Sequence, residues 1–579
     1  MKEISKTLFK EFSKCSNYYV LDNIYNKKMF SEIDENIKKE YLKLMYDENG
    51  NSLICNTDEK LEVMQEYYKE VERVSLKVAS KTFKKPFKYE ENNLKQNEIR
   101  FIDSNGYLFH TYLDGYYDNN EEIYVIEVKA TSSNSFMKVG PKVKGELSPI
   151  FKKDNNIIYL KEEIVYEKKY QNSYHKLFDR YDDCGKYIYD IAITKFIMDG
   201  YLKQNNITKK VKYYLGILNS EYIYDGVSDF EEVNNEEVIS FIDMNYILND
   251  YKDLIFEEYN KIINNIFLKK IEDTYSKACK EDCPYKKVCF PFLNNLDSVE
   301  SLLVPKKIKI DSQPYDVIDL INMGYKHITD IPKEYLDNKS HIIQRNCIDN
   351  DEEYFNKEDI RNSIKENIEY PIYHLDFEAF QSPLPRFKGE KPYMQSVFQY
   401  SIHIQRKPFV CDEKLDNYYF IPNDFSDHRK ELVEKMIKTI DLSSGGIVLV
   451  YNKNFEYSRI KEFMEFYPEY KKELQNILNH MVDLLDIVRK NKNSDTISFY
   501  HKNLHGSYSI KKVLPVFTDM SYSELEVKNG VEAQVAYAKF KYLPKEDIEV
   551  LRESLIKYCG QDTYSMFKIL SKLYIKSQD

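Results

Sequence analysis

The segment Pro371–Phe380 (PIYHLDFEAF) constrains this chain more than any other, because it places two carboxylates in a short, otherwise apolar run. Such a run predicts a strand, and side chains at positions i and i+2 of a strand lie on the same face. Asp376 and Glu378 are therefore expected to share a face. Adjacent carboxylates repel each other unless positive charge lies between them. A pair of divalent metal ions is the usual source of that charge, so the segment predicts a metal site.

Residues further along the chain offer additional groups for this site. Tyr558 and Asp562 in YCGQD lie four positions apart, and such residues face the same way on a helix. Glu456 follows an apolar run, 447–451, that predicts a strand ending close to this acid. Carboxylate oxygens suit Mg²⁺ or Mn²⁺. The candidate metal ligands are Asp376, Glu378, Glu456 and Asp562.

Length and composition exclude several classes of protein. A chain of 579 residues is expected to form several domains. Its 42% hydrophobic and 31% charged residues are typical of a folded globular protein. Neither a run of roughly 18 apolar residues nor a secretory signal is visible, so we expect a cytoplasmic protein with no membrane partner. The net charge of −11 argues against bulk electrostatic binding of nucleic acid but allows a local basic groove.

The N-terminal half contains a predicted β-hairpin followed by a helix and a strand. Strands are predicted over 107–117 and 121–130, joined by a two-residue turn at 119–120, where both residues are Asn. Asn tolerates the positive φ of such a turn. A helix over 186–201 and a strand over 211–218 are predicted to follow.

This hairpin carries a second group of charged residues. Its predicted register places Asp114 opposite Val125, on the side of the sheet that also holds Glu127 and Lys129. An Asp and a Glu can hold a divalent cation, while a nearby Lys orients water or stabilises charge on a phosphate. The alternative is an ordinary solvated, charged face of the hairpin.

Three of the nine cysteines, Cys279, Cys283 and Cys289, are closely spaced. In a cytoplasmic chain such thiols favour metal or iron–sulfur ligation over disulfides. A [4Fe–4S] cluster requires a fourth thiolate, for which Cys15 is the candidate. Zinc and free buried thiols remain the alternatives. The other cysteines are predicted to be small core residues, namely Cys55, Cys184, Cys347, Cys411 and Cys559.

Both acidic groups resemble nuclease motifs. The order DxE, then N-x-F-acid, then YxxxD resembles the tyrosine variant of the DEDD 3′→5′ exonucleases. The pattern of Asp114, Glu127 and Lys129 resembles the PD-(D/E)xK core in its RecB-like branch. One early cysteine with a later trio resembles the iron–sulfur cluster that closes the RecB-like domains of CRISPR-associated and helicase–nuclease proteins.

From Tyr370 onward the chain closely resembles the bacterial family described as domain of unknown function 2779. The matching stretches include YPIYHLDFEAF, LVYNKNFEYSRI, GSYSIKKVLPVF and YCGQDTYSM. The resemblance extends to SKTLFKEFSKC near the N-terminus and to GILNSEYIYDG, so it covers most of the chain. That family is similar to an exonuclease fold joined behind a RecB-like nuclease domain.

The exonuclease resemblance implies a role for each residue of the first group. Asp376 is expected to bridge two Mg²⁺ or Mn²⁺ ions about 4 Å apart, and Glu378 to complete the site that activates water. Asp562 is expected to hold the second ion and Tyr558 to orient the water. Glu456 stands where the family usually has Asp.

Two neighbouring segments are open to more than one interpretation. Asp483 in MVDLLD could assist Glu456, but a structural role in capping or fixing the next element explains it as well. The segment 507–512 (SYSIKK) is the best basic and hydroxyl-bearing candidate for contacting phosphate. A plain helix N-terminus explains that segment too.

The expected architecture is an α/β protein with three parts. A restriction-endonuclease-like (RecB-like) domain with the [4Fe–4S] cysteines is expected over 1–295. A helical linker that resembles a helix-hairpin-helix unit is expected over 296–365, with two short helices around a Met-Gly turn within 315–336. An RNase H-like DEDD exonuclease domain is expected over 366–579.

The expected function is metal-dependent hydrolysis of phosphodiester bonds, as a 3′→5′ DNA exonuclease with a second, RecB-like nuclease module, in DNA repair, processing or defence. DNA is favoured over RNA because both resemblances point to DNA. An RNA exonuclease is one alternative, and a non-catalytic nucleic-acid-binding or assembly protein with decayed nuclease folds is another. Thr194 and Phe196 stand where RecB-like enzymes usually carry Gln and Tyr, which favours loss of catalysis in the first module.

Overall fold

The chain divides into two compact units. The computed structural model describes residues 2–25, 58–89, 97–165, 167–230, 237–267, 274–490 and 494–578, so Cys55 lies outside the described residues. The first unit comprises Met1–Asn56, Gln65–Cys289 and Ser382–Met394. The second comprises Thr57–Met64, Phe290–Gln381 and Gln395–Asp579. Within the described ranges, no helix has the length and apolar character needed to cross a membrane.

Strands of the first unit form two main sheets. The strands are β1 (Lys2–Ser5), β2 (Asn97–Ile102), β3 (Tyr107–Leu113), β4 (Gly115–Asp118), β5 (Glu122–Ser132), the hairpin β6 (Lys142–Val143) and β7 (Glu146–Leu147), β8 (Phe151–Asp154), β9 (Ile157–Leu160), β10 (Lys210–Leu218) and β11 (Ile239–Asp243). The larger sheet has six strands in the order β4-β5-β10-β11-β9-β8, and the smaller has the order β1-β3-β2.

Helices of the first unit supply the rest of its core. They are α1 (Lys6–Phe12), α2 (Ser16–Tyr25), α3 (Asp58–Phe83, of which the part from Gln65 onward belongs to this unit), α4 (Ser133–Met137), α5 (Lys168–His175), α6 (Gly185–Gln204), α7 (Asn245–Asp250), α8 (Lys252–Phe267), α9 (Lys277–Asp282) and α10 (Lys286–Cys289). Helix α6 and strand β10 confirm the predicted helix over 186–201 and strand over 211–218. Most of the first half of α6 is buried, which explains why its sequence is apolar on nearly every side.

The predicted hairpin is correct in its pairing but wrong in its register and in the length of its first strand. Asp118 pairs with Ile123, so the turn lies one position later than predicted and the register differs by two residues. The side chain of Asn119 explains this, because it accepts hydrogen bonds from the backbone N–H groups of Glu121 and Glu122 and so precedes the turn. A shift of two residues keeps every side chain on its predicted face.

The first strand of the hairpin is interrupted at Asp114. Strand β3 pairs with β1 and β2, whereas β4 pairs with β5 in the larger sheet. Gly115 follows the break, and a Cβ there would lie 2.7 Å from Leu76 Cδ2 and 2.9 Å from Ile126 Cβ. A larger residue at this position would therefore require Leu76 or Ile126 to move.

The second unit is built on a five-stranded mixed sheet. The unit's strands are β12 (Lys307–Ile310), β13 (Gln313–Asp316), β14 (Tyr354–Phe355), β15 (Ile372–Gln381), β16 (Gln395–Gln405), β17 (Asn417–Phe420), β18 (Ile447–Val450), β19 (Met481–Asp483) and β20 (Phe499–Tyr500). The sheet has the order β17-β16-β15-β18-β19. Strand β16 is antiparallel to both of its neighbours, while β15, β18 and β19 are mutually parallel.

Helices of the second unit flank this sheet or precede it in the chain. They are α11 (Val317–Asn322), α12 (Lys339–Asn350), α13 (Lys357–Asn367), α14 (Arg429–Thr439), α15 (Asn454–Phe466), α16 (Lys471–Asn479), α17 (Leu484–Arg489), α18 (Ile510–Phe517), α19 (Gly530–Ala538) and α20 (Lys545–Gln578). The α/β class with mixed sheets is thus confirmed for the chain.

The segment expected to hold two short helices around a Met-Gly turn is only half as predicted. Helix α11 ends before Met323 and Gly324, and Gly324 has a φ of +99°, as a turn glycine requires. The second predicted helix is instead a pair of 3₁₀ turns, Ile328–Asp330 and Lys333–Tyr335. Pro332 explains this, because a residue that precedes proline is disfavoured in the helical conformation.

Candidate metal centres

Strand β15 presents its two carboxylates on one face, as the alternation of its side chains predicts. Leu375 and Phe377 point into the hydrophobic core of the second unit and are almost fully buried. Asp376 and Glu378 occupy the opposite face, with Asp376 paired to Ser401 and Glu378 to Gln399 of β16. The core contacts of the apolar residues thereby fix the direction in which both acids point.

Helix α20 brings a third carboxylate to the same place. Tyr558 and Asp562 lie on this helix, and both are buried. Asp376, Glu378 and Asp562 each contribute a carboxylate oxygen, and these oxygens all lie within 4.8 Å of one another. We call this group the acid triad.

Glu456, in the first turn of helix α15, lies near enough to interact electrostatically with Asp376 and Asp562 but is outside the group of oxygens within 4.8 Å of one another. Its side chain is 3% exposed, and its Oε2 is a buried atom without a hydrogen-bond partner among the described residues. Burial raises the pKa of Glu456, and the charge of Asp376 raises it further. A buried, unpartnered carboxylate oxygen is costly unless it binds something. Glu456 is therefore suited to a ligand that lies between it and Asp376.

Asp483 has a structural role. Its carboxylate accepts hydrogen bonds from the backbone N–H groups of Asn452, Lys453 and Leu485, each at 2.9 Å. It caps helix α17 and fixes the loop that precedes α15. With three backbone donors bound, Asp483 holds the turn that positions Glu456.

The carboxylates of the acid triad are buried or half-buried and repel one another, so their charged forms are disfavoured. Burial raises the pKa of Asp376 and Glu378 well above their ordinary values, and the neighbouring carboxylates raise both further. Burial also raises the pKa of Asp562, to about 6, although hydrogen bonds from Tyr522 and Tyr558 oppose this effect. None of the three carboxylates forms an ion pair with a described residue. An all-oxygen set of this kind fits Mg²⁺ or Mn²⁺, which would supply the missing positive charge.

Three neighbours of the acid triad were not singled out from the sequence for these contacts. The hydroxyl of Tyr522 donates a hydrogen bond to Asp562 Oδ1 at 2.6 Å. The ammonium of Lys511 donates to the hydroxyl of Tyr558 at 3.1 Å. The thiol of Cys559, predicted to be an ordinary core residue, lies 3.5 Å from Asp376 Oδ2. No local sequence pattern marks these residues, because each contact joins segments that are distant in the chain.

The charged residues predicted on the N-terminal hairpin also lie close together. Asp114 Oδ2 accepts a hydrogen bond from the backbone N–H of Val128 at 2.7 Å. Glu127 is 2% exposed, and its Oε1 lies 3.0 Å from Lys129 Nζ. Burial and the charge of Glu127 together raise the pKa of Asp114 to about 6, against the opposing charges of Lys6 and Lys129.

We call the group of Asp114, Glu127 and Lys129 the first centre. Lysine side chains form ion pairs with its acids, whereas no described residue forms an ion pair with the acid triad. Lys6 Nζ of helix α1 lies 2.6 Å from Glu127 Oε1, and Lys10 Nζ lies 2.9 Å from Asp190 Oδ1. Lys129 also reaches Asp190, at 2.9 Å. Burial alone would raise the pKa of Glu127, but Lys6 and Lys129 outweigh it and lower the pKa. Protein cations thus occupy the surroundings of Glu127.

Helices α3 and α6 complete the first centre. Thr194 on α6 donates a hydrogen bond to Glu127 Oε2 at 3.3 Å, whereas Phe196 packs against the hydrophobic core. Glu72 on α3 has a pKa raised to about 8, first by burial and then by the charges of Asp114 and Glu127. Glu72 is an additional acid of this centre, and its position on a helix before the hairpin was the only signal for it in the sequence.

The four candidate cluster cysteines lie close enough to interact electrostatically. Burial raises the pKa of Cys289, and charges on Cys283, Cys15 and Cys279 raise it further. Cys279 is buried and the other three are half-buried. Among the described residues, only the acid triad gathers three or more ligand atoms within 4.8 Å of one another, so no three of these four sulfur atoms are that close together. Of the other described cysteines, Cys184, Cys347 and Cys559 are buried and Cys411 is half-buried.

Comparisons with known proteins show what the chain is similar to. Residues 373–509, which include Asp376, Glu378 and Glu456, match the sequence model of a family described as "Domain of unknown function (DUF2779)". Over 514 residues the chain is 25% identical to "Uncharacterized protein UU173" of Ureaplasma parvum serovar 3 (strain ATCC 700970). That match covers 82% of this chain and 66% of the relative, so the chain spans slightly less than two thirds of the relative's length. No solved structure matches the chain.

Proposed function

We propose that the second unit is a two-metal nuclease that hydrolyses phosphodiester bonds, and specifically a 3′→5′ exonuclease acting on DNA. The observation that carries this proposal is the acid triad, whose three carboxylates converge within 4.8 Å without an ion pair to any described residue. Carboxylates held this closely need bound cations, and phosphoryl transfer is the chemistry that paired divalent ions commonly support.

The topology of the second unit supports this proposal. Its sheet places the strand that carries Asp376 and Glu378 at the centre, between an antiparallel and a parallel neighbour. This order is the one expected of the RNase H-like sheets that the exonuclease resemblance implies. Tyr558 and Asp562 follow on a helix later in the chain, in the order of the DEDD motifs.

The acid triad and its neighbouring residues have different roles in the proposed hydrolysis. Asp376, Glu378 and Asp562 would hold two Mg²⁺ or Mn²⁺ ions, with Glu456 as a further ligand. Such ions lower the pKa of bound water and neutralise developing charge when they are present. Tyr558 orients the attacking water, and Tyr522 fixes the carboxylate of Asp562 by a hydrogen bond to one oxygen, leaving the other for a ligand.

For the first unit we propose a RecB-like nuclease fold whose catalytic centre has decayed. Strands β4, β5 and β10, with helix α6 between β5 and β10, follow the order expected of a PD-(D/E)xK core. The proposed roles of Asp114 and Glu127 as metal ligands, with Lys129 beside them, would require Lys6 to leave its contact at 2.6 Å. That contact favours a module that binds nucleic acid without cutting it.

We further propose that Cys15, Cys279, Cys283 and Cys289 bind a [4Fe–4S] cluster. A tetrahedral zinc ion would draw its thiolates to about 3.8 Å from one another, because Zn–S bonds are about 2.3 Å long. A cubane cluster binds each thiolate to a different iron atom and so holds them further apart. No three of the four sulfur atoms, all of which belong to described residues, lie within 4.8 Å of one another, so a zinc ion would have to draw them together, whereas a cubane cluster would not require three of them to be that close.

The test is an assay of the purified full chain with Mg²⁺ or Mn²⁺ on single- and double-stranded DNA and RNA. We expect DNA to be shortened from its 3′ end. Asp376→Ala, Glu378→Ala and Asp562→Ala should each lower the rate by several orders of magnitude, and Tyr558→Phe by roughly ten- to a thousandfold. Lys129→Ala should leave the rate unchanged. Preferential cleavage of RNA would instead favour an RNA exonuclease, and no cleavage of any substrate would favour a binding or assembly protein.

A further inference from the structure

Lys511 is a fixed cation beside the acid triad. It lies in the first turn of helix α18, which Val513 and Leu514 anchor in the core with no exposed surface. Its ammonium lies 3.1 Å from the hydroxyl of Tyr558 and 5.0 Å from the centre of that ring. It also lies 5.4 Å from the centre of the Tyr522 ring. Two aromatic contacts and a hydrogen bond thus restrict where the ammonium can point.

The charge of Lys511 acts on the carboxylates of the acid triad, but its ammonium forms no ion pair with any of them. It lowers the pKa of Asp376, Glu378 and Asp562, which burial raises. Yet within the described ranges Lys511 forms no ion pair, and Tyr558 accepts its one hydrogen bond. A lysine ammonium has three N–H donors. Two donors therefore remain for a ligand at the acid triad.

We propose that Lys511 is a further catalytic residue, which binds a non-bridging oxygen of the scissile phosphate while it holds the hydroxyl of Tyr558. This inference rests on the nuclease function proposed above. By donating to the oxygen of Tyr558, Lys511 leaves the phenolic proton of Tyr558 for another acceptor, which is Asp562 in the metal-free protein and would be the attacking water once Asp562 binds metal. Lys511 thus sets the direction in which the hydroxyl of Tyr558 donates its hydrogen bond.

The reaction explains why such a cation is needed. The hydroxide part of the water bonds to phosphorus, the bond from phosphorus to the departing 3′-oxygen breaks, and that oxygen takes the remaining proton of the water. Negative charge on the non-bridging oxygens must be stabilised while these bonds exchange. Lys511 contributes a positive charge on the side of the site where Tyr558 lies.

The adjacent residue provides a matched control. Lys512 follows Lys511 on the same helix, but its side chain is exposed. Both lysines lie in the same turn of helix α18. Lys511→Met and Lys512→Met therefore each remove one positive charge from the same end of this helix. Only the first removes it from the acid triad.

The experiment measures cleavage and binding separately on the full chain. Single-turnover cleavage of 3′-ended single-stranded DNA is followed with Mn²⁺, and binding of the same DNA is followed with Ca²⁺ over a range of salt concentrations. We expect Lys511→Met to lower the cleavage rate roughly 10²–10³-fold. It should also reduce the slope of log K against log salt by about 1. Lys511→Arg should recover part of the rate, and Lys512→Met should change neither quantity.

Three outcomes would overturn the inference. Cleavage by Lys511→Met at the wild-type rate would exclude a catalytic role. An unchanged salt slope, with a double variant Lys511→Met/Tyr558→Phe no slower than Tyr558→Phe alone, would reduce Lys511 to a positioning residue for Tyr558. A wild-type protein that binds DNA but never cleaves it contradicts the proposed exonuclease, and an unchanged salt slope for Lys511→Met in that protein would exclude the phosphate contact as well.

Discussion

Asp376 of strand β15 and Asp562 of helix α20 each place a carboxylate oxygen within 4.8 Å of the other, and burial raises the pKa of both groups. Removing one negative charge should therefore stabilise the metal-free protein. We expect Asp376→Asn to raise the free energy of unfolding without metal by at least about 1 kcal/mol, since one pKa unit corresponds to about 1.4 kcal/mol. The same change should abolish the rise in melting temperature that Mn²⁺ gives the wild type.

The control for this prediction is Asp519→Asn, which changes an exposed acid of the same unit. It should alter neither the metal-free stability nor the response to Mn²⁺. A wild-type melting temperature that does not respond to Mg²⁺ or Mn²⁺ would contradict a metal site at the acid triad, whatever the activity of the protein.

Glu456 and Asp483 should respond differently to substitution. Glu456 has a buried oxygen without a partner among the described residues, so we expect it to be the fourth metal ligand. Glu456→Asp should preserve or raise the activity, because Asp is the residue usual at this position in the exonucleases that the motifs resemble, whereas Glu456→Gln should lower it. The measurement is the cleavage rate as a function of Mn²⁺ concentration.

Asp483→Ala should instead cost stability, by roughly 1 kcal/mol, because it removes a helix cap and two backbone contacts of the preceding loop. The Mn²⁺ concentration that gives half-maximal activity should stay the same. If Asp483→Ala shifts that concentration and Glu456→Gln does not, Asp483 is the ligand.

The first centre should depend on Lys6 for its stability. Glu127 is buried, and removing one of its two lysine partners leaves its charge less compensated. We expect Lys6→Met to destabilise the chain by an amount on the order of 3 kcal/mol, measured by denaturant unfolding. Lys195→Met is the matched control, since Lys195 pairs with Asp199 on the surface of helix α6 and such pairs contribute less than about 1 kcal/mol.

The same variant also tests the decay of this centre. The comparison is made in a protein that also carries Asp376→Asn, so that the acid triad no longer binds Mn²⁺. If Lys6 occupies the position of a metal ion, Mn²⁺ should then recover part of the stability that Lys6→Met loses. Cleavage by the Asp376→Ala protein that Lys129→Ala abolishes would show that the first centre is active and that its lysines move aside.

The cysteine cluster predicts a coloured protein. Chain purified without oxygen should be brown and carry about four iron atoms. Cys279→Ser should lose the colour and lower the stability of the first unit, while the cleavage attributed to the acid triad survives. Colourless protein with one equivalent of zinc would contradict the iron–sulfur assignment. Cys184→Ser is the control, since Cys184 is buried in the same core away from the cysteine trio in sequence.

The sequence alone was sufficient where the regular repeat of a strand or a helix decides which side chains share a face. Alternation along β15 put Asp376 and Glu378 on one face, because the residues between them are apolar and the core draws them inward. The spacing of Tyr558 and Asp562 was likewise enough, since four residues make about one helical turn. Local rules failed where a side chain competes for the backbone. Asn119 moved the predicted turn by one position, and Pro332 replaced a predicted helix with 3₁₀ turns.

Tertiary structure decided which groups meet these acids. Lys511 meets Tyr558, Tyr522 meets Asp562, and Lys6 meets Glu127 across long stretches of chain, and no short pattern records such contacts. The same residue types therefore form two different centres. At one, the carboxylates converge without a described ion-pair partner and are left to bind cations, while at the other, lysines from helix α1 and strand β5 already supply the charge. Charge compensation depends on distances of a few ångströms in three dimensions, and only the fold sets those distances.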